Sequence, residues 1–188
     1  MLDPESPPTH WRALDADAKR ARLLGIAEQL FAREGIDFPV PELARSAGIG
    51  VGSIYRLFGS KSDLLAELVV KRIEAFQQIY DDAAGSDDPV GALRRVIDHA
   101  LDLLMQDQIA QISLEVALDH PHVQEARQRA ADALGRLVEE SKAAGGLRPD
   151  ARTMDLRMAF RAAREAERLV PGGGRRLCTL VVDGLHRH

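Results

Sequence analysis

Between Leu43 and Lys61 the chain carries three cations, Arg45, Arg56 and Lys61, and no carboxylate. Guanidinium and ammonium groups gathered without counter-charges suit the phosphates of a nucleic-acid backbone, the alternative being a solvated face. The spacing of the small and apolar residues in the same stretch shows what would hold these cations. Ala44 lies four residues before Gly48, and Gly48 lies six before Ile54. A helix-turn-helix needs a small side chain where two short helices touch, a residue tolerant of positive φ at the turn, and an apolar residue on the inner face of the second helix. Ala44, Gly48 and Ile54 fill those roles in that order, and Leu43, Ile49 and Phe58 add apolar contacts at compatible positions.

Other constellations read as structure rather than chemistry. His120-Pro-His122 beside Asp119 is a helix start, with Asp119 as the cap and Pro121 in the first turn. Asp98, His99 and Asp102 flank the apolar stripe Leu93-Ile97-Leu101-Leu104 and read as a solvated polar boundary. Arg157, Arg161, Arg164 and Arg168 form one helical stripe, read as a solvated or interfacial face paired with acids such as Asp155, Glu165 and Glu167. Met105, Met154 and Met158 read as core filler. The one cysteine, Cys178, sits in the apolar run Leu177-Cys-Thr-Leu-Val-Val182 and reads as a buried small hydrophobe, which excludes an internal disulfide or a thiolate metal cluster. No G-x-S-x-G, no H-E-x-x-H and no Gly-rich phosphate loop after a strand occurs. Catalysis therefore has no positive support, and no cofactor or metal is expected.

The bulk composition is that of a soluble helical protein. Of 188 residues, 45% are hydrophobic, 29% charged and only 4% aromatic. A net charge of −4 argues against coating nucleic acid by charge alone, so any basic face must be local. No uncharged stretch approaches a membrane span and no apolar leader opens the chain, so a cytoplasmic location and no membrane partner are expected.

The elements follow from caps, breakers and three-four periodicity. Residues 1–14, with Pro4, Pro7 and Pro8, read as a flexible arm. Asp15 caps a first helix whose buried face is Leu23, Ile26, Ala27, Leu30 and Phe31, and Gly35 stops it. Pro39 and Pro41 bracket the start of a short second helix, and a third runs from about Gly50 to Phe58. Ser60-Lys-Ser-Asp63 opens a long fourth helix, and Asp88-Pro89 a fifth. A weakly patterned sixth is expected from about Gln108 to Leu118, a seventh from Asp119 to Ala144, and an eighth through Leu156, Ala159, Phe160 and Ala163. Pro171-Gly-Gly-Gly174 breaks the chain. The last segment, Arg175 to Leu185, has strand-like composition but no partner strand, and reads as a ninth helix.

Ala32-x-x-Gly35, Glu42-Leu-Ala-Arg-x-Ala-Gly-Ile49, Gly52-Ser-Ile-Tyr-Arg-Leu-Phe58 and Ser60-Lys61 together resemble the N-terminal domain of a TetR/AcrR-family transcriptional regulator, over roughly residues 16 to 75. The resemblance implies an all-α protein with a helix-turn-helix DNA-binding domain over 15–60 and a helical-bundle ligand-binding and dimerising domain over 61–188. It implies a ligand-responsive regulator, typically a repressor, that binds a palindromic double-stranded operator as a homodimer and leaves it when a small apolar effector binds. The competing reading is a helical binding module or enzyme that keeps the fold without specific DNA binding.

By position, the family's DNA contacts fall on Gly52, Ser53, Tyr55, Arg56 and Lys61, with Arg45 and Val51 as further candidates. Gly52 would let the backbone approach the duplex. Ser53 can donate to a phosphate or base edge, and Tyr55 offers a hydroxyl and a ring. Arg56 can pair bidentately with guanine, and Lys61 can neutralise a phosphate. The chain departs from the family pattern at Pro39, Gly50 and Val51, where many members carry a polar residue, a Ser or Thr, and a Lys. Phe76, Tyr80, Leu101, Met105 and Ile112 are the expected walls of an effector site, with His99 or Glu115 as polar anchor. The dimer is expected to form through Leu156-Ala159-Phe160-Ala163 and Leu177-Leu180-Val181-Leu185.

Overall fold

A computed structural model describes residues 11, 13–35, 37–106 and 119–186. Among them are eight helices and no strand. They are α1 (Ala16–Glu34), α2 (Val40–Ala47), α3 (Val51–Phe58), α4 (Lys61–Ala83), α5 (Pro89–Gln106), α6 (Pro121–Ala143), α7 (Thr153–Leu169) and α8 (Gly173–Leu185). The all-α reading holds, and the strand-like run Leu177–Val182 is helical. The helix expected near 108–118 lies outside the described residues. The chain divides into two compact units between Val69 and Val70, inside α4.

Of the four side chains that the sequence nominates as helix caps, Asp15, Ser60, Asp88 and Asp119, three act as such. The Ala18 amide donates to Asp15 Oδ1 at 2.7 Å, the Asp63 amide to Ser60 Oγ at 3.0 Å, and the Gly91 amide to Asp88 Oδ1 at 2.9 Å. α6 is the exception: His120 occupies the cap position without a side-chain hydrogen bond, and Asp119 does not serve as the cap.

In the first unit, α1 contributes Leu23, Ala27, Leu30 and Phe31 to a core shared with Leu43, Ala44 and Ala47 of α2 and Ile54 and Phe58 of α3. Trp11, inside the segment read as a flexible arm, is itself buried. The turn between α2 and α3 is closed by two hydrogen bonds, Gly48 N–H to Arg45 O at 3.1 Å and Ile49 N–H to Ala44 O at 3.0 Å. That pair is the Schellman pattern, which requires a left-handed residue just past the helix end. Gly48 supplies it, with φ 68° and ψ 37°. Arg20 then ties three helices of the unit together. Its Nε donates to Glu67 Oε2 at 2.8 Å, a second nitrogen pairs with Glu67 Oε1, and Nη1 donates to Leu57 O at 2.6 Å. The guanidinium also lies 4.9 Å from the centre of the Phe58 ring.

In the second unit, α5, α6, α7 and α8 surround a core that includes Leu93, Leu101, Leu104, Leu134, Leu137, Phe160 and Cys178. α7 and α8 form a tight hairpin. Gly172 has φ 80°, and a Cβ on Gly173 would sit 2.3 Å from Ala166 O. The Glu167 carboxylate accepts the Gly172 and Gly174 amides at 2.9 and 3.0 Å, and these bonds hold it below the usual carboxylate range. Leu156, Ala159, Phe160 and Ala163 are buried inside this unit. They are core, and that half of the expected dimer face is corrected. The exposed apolar residues of the hairpin are Met154, Met158, Leu169, Val170 and Leu180.

Two glycines of the reading motif make opposite demands on stability. Gly48→Ala places a Cβ in the left-handed region, which costs about 1–2 kcal/mol. Gly52 lies inside α3 with ordinary helical φ and open space around a built Cβ. Gly52→Ala is therefore expected to raise stability by about 0.5–1 kcal/mol. Urea unfolding followed by circular dichroism checks both, with the midpoint falling for the first variant and rising for the second.

Candidate nucleic-acid interface and ligand cleft

α2 and α3 are eight residues each, too short to be stable alone, so packing must fix them. On α3, Ile54 and Phe58 point into the core and fix the helix about its own axis. At 100° per residue the opposite arc carries Tyr55, Gly52, Arg56 and Ser53. Gly52, Tyr55 and Arg56 are exposed, and Val51 and Ser53 are half-buried. Tyr55, at 43% exposure, is the large ring left out of the core.

The structure brings five of the seven nominated residues onto one short helix, and adds detail at the others. An Arg56 nitrogen donates to Ser53 Oγ at 2.8 Å, which orients the guanidinium along the exposed face. Arg56 and Lys61 make no ion pair among the described residues. Lys61 opens α4 and its ammonium sits 5.3 Å from the centre of the Phe38 ring. Arg45 is different. It is highly exposed on α2 but pairs with Glu42 at 3.0 Å, so part of its charge is met within its own helix. Gly50 caps α3 with extended backbone and no side-chain hydrogen bond. The sequence reading missed Arg20, whose partners Leu57 and Glu67 are 37 and 47 residues away, with no local spacing to betray them.

The second unit contains a cleft of about 360 Å³ formed by residues of α4, α5, α6 and α7. Phe76 and Tyr80, nominated as walls, line it. Tyr80 is buried, and burial pushes its phenol well above the usual tyrosine range. The remaining nominations fare otherwise. Leu101 is buried core and Met105 packs against that core, and neither lines the cleft. His99 is exposed and borders a separate depression with Asp82, Ser86 and Arg95. Ile112 and Glu115 lie outside the described residues. Leu101 shares a helix with the lining residues Ala100 and Leu104 but turns into the bundle.

The cleft is lined instead by residues read as filler or as solvated charge. Met154 and Met158 are exposed and border it. Arg127 of α6 and Arg157 and Arg161 of α7 line it too. Of the acids expected to pair with the α7 arginines, Glu165 does so, meeting Arg168 at 3.2 Å, while Asp155 accepts the Arg152 amide at 2.8 Å and Glu167 caps α8. Asp98 and Asp102, read as solvated, both pair with Arg175 of α8. Among the described residues no group of three or more His, Cys, Asp or Glu could hold a metal ion, and no helix is long and apolar enough to cross a membrane.

Comparison with known proteins follows the same division. Residues 23–68 match the model of the bacterial regulatory proteins of the tetR family. An HTH-type transcriptional regulator of Staphylococcus aureus is 33% identical over 100 residues, which are 50% of this chain and 50% of that protein. The chain thus matches about half the length of these curated relatives. Matches of structure extend further. SmeT, the repressor of the Stenotrophomonas maltophilia multidrug efflux pump SmeDEF, is similar with a TM-score of 0.70 and 24% identity over 93% of each chain. The TetR transcription regulatory protein of Mycobacterium vanbaalenii is similar with a TM-score of 0.60 and 25% identity, over 94% of this chain and 99% of that one. The exposed face of a helix-turn-helix, the match over residues 23–68 and the shared all-helical architecture agree: residues 23–68 are those of the tetR family of bacterial regulatory proteins, and the fold is the one that those regulators share.

Proposed function

We propose that this protein is a ligand-responsive transcriptional regulator that binds a palindromic DNA operator as a two-fold dimer and acts as a repressor released by a small molecule. The observation that carries the DNA reading is the outward arc of α3. Gly52 sits within this helix with nothing near a built Cβ, so no packing inside its unit requires glycine there. Glycine in a helix interior costs about 0.5–1 kcal/mol relative to alanine. A partner surface drawn against the backbone at that point accounts for the cost. The residues around it supply what a major groove asks for: a guanidinium for a guanine edge from Arg56, a hydroxyl from Ser53, and the Tyr55 ring and hydroxyl for a thymine methyl or a phosphate. Lys61 serves a phosphate, Val51 a thymine methyl, and Arg45 a phosphate only if it leaves Glu42. No cofactor takes part.

Arg56→Ala is expected to weaken operator binding by about 1–3 kcal/mol and to relax base preference at one position per half-site, whereas Lys61→Ala weakens all sequences alike and lowers the salt slope by about one. Gly52→Ala should weaken binding while stabilising the fold. Fluorescence anisotropy against an operator drawn from the protein's own upstream DNA measures all three. Wild-type affinity in both charge variants would remove α3 as the reading helix.

The dimer is supported by an apolar stripe on the hairpin of α7 and α8. At helical spacing Leu177, Leu180 and Gly184 of α8 lie on one side, away from the buried Cys178 and Val182. Leu180 is 60% exposed and Leu169 is 81% exposed, and a built Cβ on Gly184 meets open space. Apolar residues beside a glycine permit close approach of the same pair from a second copy. Such a dimer would set two reading helices one DNA turn apart, about 34 Å, or a multiple of it. Wild type should sediment as a dimer at micromolar concentration, and Leu180→Arg as a folded monomer that binds operator at least tenfold more weakly. A monomeric wild type would contradict the proposal.

Effector release follows from linkage. A ligand that binds the cleft of the second unit and favours a dimer geometry unsuited to the operator lowers operator affinity by its differential affinity for the two states.

A further inference from the structure

Tyr80, in the last turn of α4, is 7% exposed and packs with the apolar side chains of the second unit. Its hydroxyl makes no hydrogen bond to any described residue. A buried phenol normally finds a partner, because a hydroxyl taken out of water without one is destabilising. Burial pushes this phenol well above the usual tyrosine range, and the Arg157 charge opposes the shift without cancelling it. The group therefore keeps its proton at physiological pH and acts as a donor.

The hydroxyl opens onto the cleft of the second unit. Tyr80 lines that cleft, and so does Arg157, whose charge reaches the phenol oxygen. Nor is the oxygen closed off inside the core. Around it stand Phe76 and Ile73, one and two turns earlier on α4, with Leu104 of α5, Leu134 of α6 and Phe160 of α7, all buried. The charged and amide residues Arg157, Arg161, Gln124 and Gln128 also belong to the lining, but they are exposed and mark its open side. Among the described residues, then, the buried part of the lining offers hydrocarbon and a single polar side chain, Tyr80. The volume, about 360 Å³, falls in the range of sites for small organic molecules.

We propose that the cleft between α4, α5, α6 and α7 binds an apolar molecule with one neutral carbonyl, a ketone or ester, whose oxygen accepts from the Tyr80 hydroxyl while its hydrocarbon lies against Phe76, Leu134 and Phe160. This rests on the reading of the protein as ligand-responsive, but not on its binding DNA. A hydrocarbon of the same shape fills the walls and leaves the hydroxyl without a partner. An alcohol brings a second O–H, for which the buried lining has no further side-chain acceptor among the described residues.

Equilibrium dialysis of the full chain tests this with two pairs that differ only in C=O against C=CH2: 2-acetonaphthone with 2-isopropenylnaphthalene, and 2-undecanone with 2-methyl-1-undecene. Each is measured on the wild type and on Y80F, which deletes only the hydroxyl. The ratio of ketone to alkene affinity is expected to be about three- to tenfold higher in the wild type than in Y80F. Alkene affinity should be equal or higher in Y80F. Ligand-free Y80F should melt no lower than the wild type, because no group in the protein loses a bond. An equal ratio in the two proteins, a clearly lower melting temperature of Y80F, or no ketone binding up to its solubility would overturn the inference. The same ketones are then added to the protein–DNA complex. Release of DNA supports the regulatory reading as well. A preference that depends on Tyr80 but leaves DNA binding unchanged supports the cleft assignment and overturns only the release mechanism.

Discussion

The close crossing of α2 and α3 is the constraint on which the rest of the first unit depends. Two helices of eight residues have too few internal hydrogen bonds to persist alone. They persist because Ala44 lets the backbones approach, Gly48 turns left-handed between them, and Ile54 and Phe58 are buried beyond the turn. Each of these acts on orientation as well as stability. If Ile54 and Phe58 must face inward, helical geometry forces Gly52, Tyr55, Arg56 and Ser53 outward. The chemistry of the exposed arc is thus a consequence of the core. Arg20 adds a second lock from the far side of α3, because its bond to Leu57 O satisfies a carbonyl in the last turn of that helix while Glu67 holds the guanidinium in place.

What the sequence made legible was local. Caps at Asp15, Ser60 and Asp88, the Gly48 turn and the outward arc of α3 each depend on residues within a few positions of one another, where spacing translates directly into geometry. What it hid was set by tertiary rotation and by long-range partners. The face Leu156-Ala159-Phe160-Ala163 looked fit for a subunit interface because apolar periodicity does not distinguish an inner face from an outer one, and it is core. Leu101 and Met105 were nominated as cleft walls on the same grounds. Of the acids that stand near the α7 arginines in sequence, Glu165 pairs with Arg168 as the spacing suggests, while Asp155 and Glu167 accept backbone amides instead. Position in a sequence names the available partners; only the fold decides which are already engaged.

The two units use positive charge differently. On α3, Arg56 sits on an exposed surface where its value lies in geometry, held by Ser53 along one direction. In the cleft, burial and then the charges of Arg161 and Arg157 hold the Arg127 guanidinium below its usual range. The first arrangement suits a long, screened, highly charged polymer. A net charge of −4 is compatible with both because the cations are local. Gly50 and Val51 place neither a hydroxyl nor an ammonium at the start of α3, so in the proposed DNA reading selectivity falls to Tyr55 and Arg56.

The central claim is that α3 reads base sequence in duplex DNA from a two-fold assembly. Selection of bound duplexes from a random library by the purified full-length chain tests it most directly, since it presumes no operator. The account predicts enrichment of an inverted repeat whose half-sites are spaced by about one helical turn or a multiple of it, with a guanine at a fixed place in each half. Enrichment of no sequence, or of a single unrepeated site, would contradict it.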